Sequence, residues 1–156
     1  MTVKIGINGF GRIGRLVFRA AWNHPEVEVA AINDLADGAT IAHLLKYDSV
    51  HGRFGADVSA QNDRLQVNGN SVAIRSIKEP DKIDWRKLGV DIVAECTGLF
   101  RDREGASKHL AAGALLAGRA LAVLAGSHPL VAATQQVDHQ VGLGQLRVIR
   151  LARDRV

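Results

Sequence analysis

At 156 residues, with 47% apolar and 23% charged side chains, the chain has the size and balance of one globular domain with a genuine core. A net charge of +4, scattered and with only 4% aromatic residues, leaves no basic stripe or stacking platform for nucleic acid. No apolar run nears the ~20 residues of a membrane span, no secretion-signal pattern opens the chain, and the single cysteine excludes an internal disulfide and fits a reducing, cytoplasmic setting.

In chain order, the β-branched run from Val3 to Asn8 reads as a strand that leads into Gly9-Phe10-Gly11-Arg12-Ile13-Gly14. A helical face follows, with Ile13, Leu16, Val17 and Ala20 on one side, and ends near Asn23, before Pro25. Strand, Gly-x-Gly-x-x-Gly and helix in that order is the setting in which the motif means dinucleotide binding. Gly9 allows the tight turn, Gly11 lets the backbone approach a pyrophosphate, and Gly14 lets the helix lie close on the strand. Free N–H groups at the helix start face the phosphates, helped by the helix dipole.

Val27 to Asn33 reads as a second strand, and it ends at Asp34. An acid about 20 residues past the glycines is placed to accept hydrogen bonds from ribose hydroxyls and to repel a 2′-phosphate, so the expected cofactor is NAD and not NADP. The competing reading makes Asp34 a cap for the next helix, although Asp37 and Thr40 are also available for that. Ala39 to Lys46 has helical spacing, with Ile41, Leu44 and Leu45 together. Ala56 to Ile77 has strand character, folded at Asn68-Gly69-Asn70. A short helix carrying Trp85 is expected over Pro80 to Leu88, a buried parallel strand over Val90 to Glu95, and a helix over Arg103 to Ala112, ending near Gly113. Thr97 and Gly98 follow a strand's carboxyl end, where ligands sit in open α/β sheets. The expected fold is α/β, a doubly wound, mainly parallel sheet with an inserted β-hairpin, incomplete at its C-terminal end.

Residues 115–156 read differently, with no lysine, glutamate, asparagine or aromatic residue. Leu121 to Leu124 is a candidate strand, and the arginines at 147, 150, 153 and 155 read as a solvated tail.

Residues 1 to about 114 resemble the amino-terminal, Rossmann-type part of phosphorylating glyceraldehyde-3-phosphate dehydrogenase. The likeness is carried by Gly6 to Arg15, Ile32-Asn33-Asp34, His43 to Gly52, Asp91 to Phe100 and Lys108-His109-Leu110. A sister family acting on erythrose 4-phosphate shares much of this pattern. The resemblance implies pyrophosphate contacts from the Arg12 and Ile13 N–H groups, ribose contacts from Asp34, and a basic residue near the adenine, Lys78, which by residue type alone is ordinary surface charge. Phe100 either flanks the adenine or packs in the core.

The family's nucleophile lies in a Ser-Cys-Thr-Thr-Asn-Cys segment that is absent from this chain, and Cys96 instead matches a strand-end position, so it reads as a structural cysteine. The family chemistry (thiolate attack on the aldehyde, hydride transfer to the nicotinamide, phosphorolysis of the thioester) needs groups beyond residue 114. The expected organisation is therefore an NAD-binding domain over 1–114, a non-family tail over 115–156 read out of frame, and no catalytic domain. Such a chain is inert by itself; the alternative is a stand-alone nucleotide-binding module. No histidine has a paired nucleophile, and no Cys/His set has metal-ligand spacing. The family is homotetrameric, with the assembly of this fragment left open.

Overall fold

The computed structural model describes residues 2–100 and 102–119. In chain order it contains β1 (Val3–Asn8), α1 (Arg12–Trp22), β2 (Val27–Asn33), α2 (Gly38–Lys46), β3 (Val58–Gln61), β4 (Arg64–Val67) and β5 (Asn70–Arg75). After a single 3-10 turn at Pro80–Lys82 come β6 (Ile92–Glu95), α3 (Arg103–Ala111) and β7 (Leu116–Arg119). One sheet takes all these strands in the order β3-β4-β5-β2-β1-β6-β7. From β5 to β7 neighbouring strands are parallel, and β3, β4 and β5 form an antiparallel meander at the edge.

The central strands are apolar because both faces are covered. Alternate residues feed two cores: Ile5, Ile7, Ile32 and Ala94 join Phe18, Leu45 and Leu65, while Ala31, Ala73, Val93 and Ala117 join Trp85 and Ile83. In α1, Val17, Phe18 and Ala21 supply the buried stripe. The Phe18 ring stacks on Trp22 with centroids 5.6 Å apart and meets Phe10 and Phe54 edge-on at 5.8 and 6.3 Å. Arg15 and Arg19 leave the same helix toward the end of α2 and the segment after it. There Arg19 donates to the carbonyls of Leu45 and Gly52 and lies over the Phe54 ring, and Arg15 approaches Asp48.

The structure departs from the sequence expectations at three places. Pro80 to Leu88 is not a helix; the 3-10 turn stops at Lys82, the Asp84 side chain accepts the Lys87 N–H at 3.0 Å, and Gly89 turns the chain at a positive φ of 70°. Trp85 is fully buried here because Gly6 has no side chain; a Cβ on Gly6 would lie 2.6 Å from the indole. The inserted hairpin has a second tight turn at Asn62-Asp63, with Asn62 at φ 54°, so that β5 is both the last antiparallel strand and the parallel neighbour of β2. Finally, beyond the family resemblance, which ends near 114, Leu116–Arg119 adds a strand that the sequence leaves open and pairs with Ile92–Glu95. The stretch from Leu121 to Leu124 and the arginine-rich tail lie outside the described residues.

Helix α1 starts hard against the preceding loop: a Cβ on Gly14 would lie 2.1 Å from the Gly9 carbonyl oxygen. Gly14→Ala therefore forces the helix off the sheet, and we expect a loss of about 1–3 kcal/mol in urea unfolding. Gly55→Ala, where a Cβ meets nothing within 4 Å, is the control and should show no loss. Equal midpoints for the two variants would contradict the close approach.

Candidate cofactor site

The connections from β1 and β6, adjacent strands, lead to helices on opposite faces of the sheet, which opens a crevice at their carboxyl ends. Gly9 follows β1 and Thr97 follows β6. The two turns touch: with φ at +89°, Gly9 would carry a Cβ only 2.7 Å from the Thr97 nitrogen.

The three helices begin in two different ways. The Asp37 carboxylate caps α2 by accepting the Thr40 N–H at 2.8 Å, and Asp102 caps α3 by accepting that of Gly105 at 2.7 Å. The N-cap position of α1 is Gly11, which has no side chain to cap it, and its first turn holds no acid. The Gly9 N–H is taken by the Asn33 carbonyl and that of Phe10 by Asp34, but among the described residues nothing accepts the N–H groups of Arg12 and Ile13. A Cβ on Gly11, the N-cap of α1, would meet nothing within 4 Å, so the space beside this helix start is open. Donors, positive helix end and open space together fit an anionic group such as a pyrophosphate.

Asp34 stands beside this loop. Its Oδ2 accepts the Phe10 N–H at 2.6 Å and its Oδ1 that of Ala36 at 2.9 Å. Each oxygen keeps a lone pair, which suits it to receive the two hydroxyls of a ribose. The capping alternative for Asp34 is ruled out, because Asp37 does that work. Exposed Lys78 follows Ile77, whose N–H and C=O both bind the Asn33 side chain, so it sits by the same strand end. Phe100 meets the His109 ring edge-on at 6.2 Å, lies under the Lys108 ammonium, and would be 2.7 Å from a Cβ on Gly105, which makes it a packing residue for α3. Cys96 packs against the core at the edge of the crevice; burial, with the adjacent Glu95 charge, pushes its thiol up to about 12.

Sequence reading missed a buried polar seam under the crevice. Asn33, Asn8 and Glu95 end three neighbouring strands and lie in register side by side. Asn33 donates to Asn8 at 2.8 Å, Asn8 to Glu95 at 2.7 Å, and His109 Nε2 contacts the same Glu95 oxygen at 2.8 Å, while Trp85 donates to His109 Nδ1 at 3.1 Å. The other Glu95 oxygen accepts the Thr97 N–H at 2.7 Å and the Thr97 hydroxyl. The available signal was three apolar strands that each end in an amide or a carboxylate.

Burial pushes the Glu95 carboxyl up, but the hydrogen bonds from His109, Thr97 and Asn8 outweigh it and hold the group below its ordinary 4.5. The stabilisation is complete above pH 4.5 and is lost as pH falls through the lower folded value. In thermal unfolding between pH 6 and pH 3, the wild-type midpoint should fall more steeply than that of Glu95→Gln, which takes up no proton there. Parallel curves would contradict the assignment.

A family model described as the glyceraldehyde 3-phosphate dehydrogenase NAD binding domain matches residues 3–103. Glyceraldehyde-3-phosphate dehydrogenase of Geobacillus stearothermophilus is 58% identical over 114 residues, which cover 73% of this chain and 34% of the relative. Glyceraldehyde-3-phosphate dehydrogenase 1 of Bacillus subtilis has the same identity and coverage, and glyceraldehyde-3-phosphate dehydrogenase A of Escherichia coli is 52% identical over an equal span. The chain thus spans about a third of the length of the curated relatives it matches. With an α1 start open to an anion and an acid fixed beside it, the chain belongs to the NAD binding domain family of glyceraldehyde 3-phosphate dehydrogenase.

Proposed function

We propose that this chain binds NAD at the β1/β6 crevice as the cofactor-holding part of a glyceraldehyde-3-phosphate dehydrogenase. The observation that carries the reading is the pairing of an uncapped α1 start with the Asp34 carboxylate, 2.6 Å from the Phe10 nitrogen. The Arg12 and Ile13 N–H groups hold the pyrophosphate, with Gly9, Gly11 and Gly14 giving it room. Asp34 takes the adenosine ribose, Lys78 lies toward the adenine, and Thr97 closes the opposite wall. Bound NAD supplies a hydride acceptor for an aldehyde oxidised elsewhere in the intact enzyme.

Catalysis is not among this chain's own capacities. Its one cysteine is Cys96, with a thiol that burial and the adjacent Glu95 charge push up to about 12, so it stays protonated at pH 7. Among the described residues no cation acts on its thiol; the one charge that does is the Glu95 carboxylate, which disfavours a thiolate. The chain alone thus binds the cofactor without forming a thioester, and mixing it with NAD, phosphate and glyceraldehyde 3-phosphate should produce no NADH. Phosphate-dependent absorbance growth at 340 nm, abolished by Cys96→Ser, would refute this.

Titration calorimetry tests the binding itself. Wild type should bind NAD in preference to NADP. Gly11→Ala fills the open cradle without meeting any protein atom, and it should leave the unfolding midpoint unchanged while weakening NAD binding at least about tenfold. Asp34→Ala should cost about 1.5–3 kcal/mol of NAD affinity and narrow the preference over NADP. Unchanged affinity in both variants would remove the glycine loop and Asp34 from the site.

A further inference from the structure

The buried seam has a fixed direction of donation, because both of its ends rest on groups that cannot reverse. At one end the Ile77 main chain offers an N–H and a C=O to the Asn33 side chain, which settles which side of that amide is nitrogen. The second hydrogen of Asn33 Nδ2 goes to Asn8 Oδ1, so the Asn8 Nδ2 must donate to Glu95. At the other end the Trp85 indole only donates. His109 Nδ1 accepts from it and is bare, the proton sits on Nε2, and Nε2 donates to Glu95. The His109–Glu95 contact is thus a neutral imidazole hydrogen-bonded to a carboxylate and not an ion pair.

Two independent chains therefore force Glu95 to accept, and its other oxygen accepts twice from Thr97. The Thr97 hydroxyl proton is committed to Glu95, and one of its lone pairs takes the Leu99 N–H at 3.1 Å. What remains on that hydroxyl is a single lone pair.

We infer that Glu95 is a positioning residue of the cofactor site: it holds the Thr97 turn against Gly9 and presets the Thr97 hydroxyl to accept from a ribose hydroxyl or amide N–H of the dinucleotide, never to donate to its phosphates. This rests on the NAD reading above. A carboxylate serving stability alone would have no reason to act on binding through Thr97, and that difference can be measured.

The test is a double-variant cycle on the full chain, with NAD affinity read by calorimetry and folding by circular dichroism. Thr97→Val should weaken NAD binding about five- to tenfold, and Thr97→Ser should rescue it to within about twofold of wild type. Glu95→Gln brings an NH₂ into a site surrounded by donors and should weaken binding at least about tenfold. The double variant should bind no worse than Glu95→Gln alone, since both changes break one linkage. Multiplicative losses, or a Glu95→Gln chain that binds like wild type, would overturn the inference. If Glu95→Gln does not fold, the Thr97 pair decides alone: Thr97→Val binding like wild type overturns it. A wild-type chain that binds no NAD overturns the cofactor reading and this inference together, whereas a wild type that binds beside unaffected variants overturns the inference only.

Discussion

Helix α1 must begin in van der Waals contact with the carbonyl of Gly9, and only a residue lacking a Cβ permits it. From that approach follows most of the geometry around the crevice. It sets the first turn of α1 directly over the end of β1, and it brings Val17 and Phe18 onto Ile7 and Ile32. Gly9 makes the same demand on the other side, where its missing Cβ lets the Thr97 turn close against it. Two absent methyl groups thus set how closely the α1 start and the Thr97 turn approach the end of β1.

Below those two segments the sheet changes character at its carboxyl end. An interior of Ile5, Ile7, Ile32 and Ala94 gives way within one residue to Asn8, Asn33 and Glu95, all nearly inaccessible. Burying such groups is unfavourable unless every donor and acceptor is met. Here each buried side chain of the seam has hydrogen-bond partners, from the Ile77 main chain to the Trp85 indole. An apolar substitute at these positions would bury as well, but would not fix one orientation of the Thr97 turn. A satisfied polar network adds directional constraint, and the crevice floor is where direction matters.

Much of this was legible in the sequence because local rules and tertiary demands agree there. The glycine loop, the strands on either side of α1, the Asn68-Gly69 turn and the acid at 34 all follow from period, spacing and turn chemistry. Trp85 was misread because its segment has apolar spacing compatible with a helix, while its real partners, Gly6 and His109, are distant in sequence. The turn at Asn62-Asp63 carries no glycine, and only the tolerance of asparagine for positive φ allows it. Strand β7 has neither β-branched residues nor alternation. It pairs because α3 and Gly113, at φ 96°, return the chain beside β6. Of the seam, Glu95 was legible as the end of a buried strand and His109 as part of a helix, but their connection was not, since it depends on register and helix placement.

The helix starts bear on why the site exists at all. Asp37 and Asp102 each satisfy a donor at the head of their helices, a feature worth about 1 kcal/mol. At the head of α1 the chain forgoes that gain: Gly11 offers nothing, no acid occupies the first turn, and the nearby Asp34 carboxylate binds Phe10 and Ala36 instead. A serine at 11 would cap the helix and lengthen the life of the fold, but its side chain would stand where the open space now is. The same residue cannot both satisfy those N–H groups internally and leave them for a phosphate. The proposed binding would return at the α1 start the stabilisation that a side-chain cap gives α2 and α3, and would thereby couple occupancy of the crevice to the anchoring of α1.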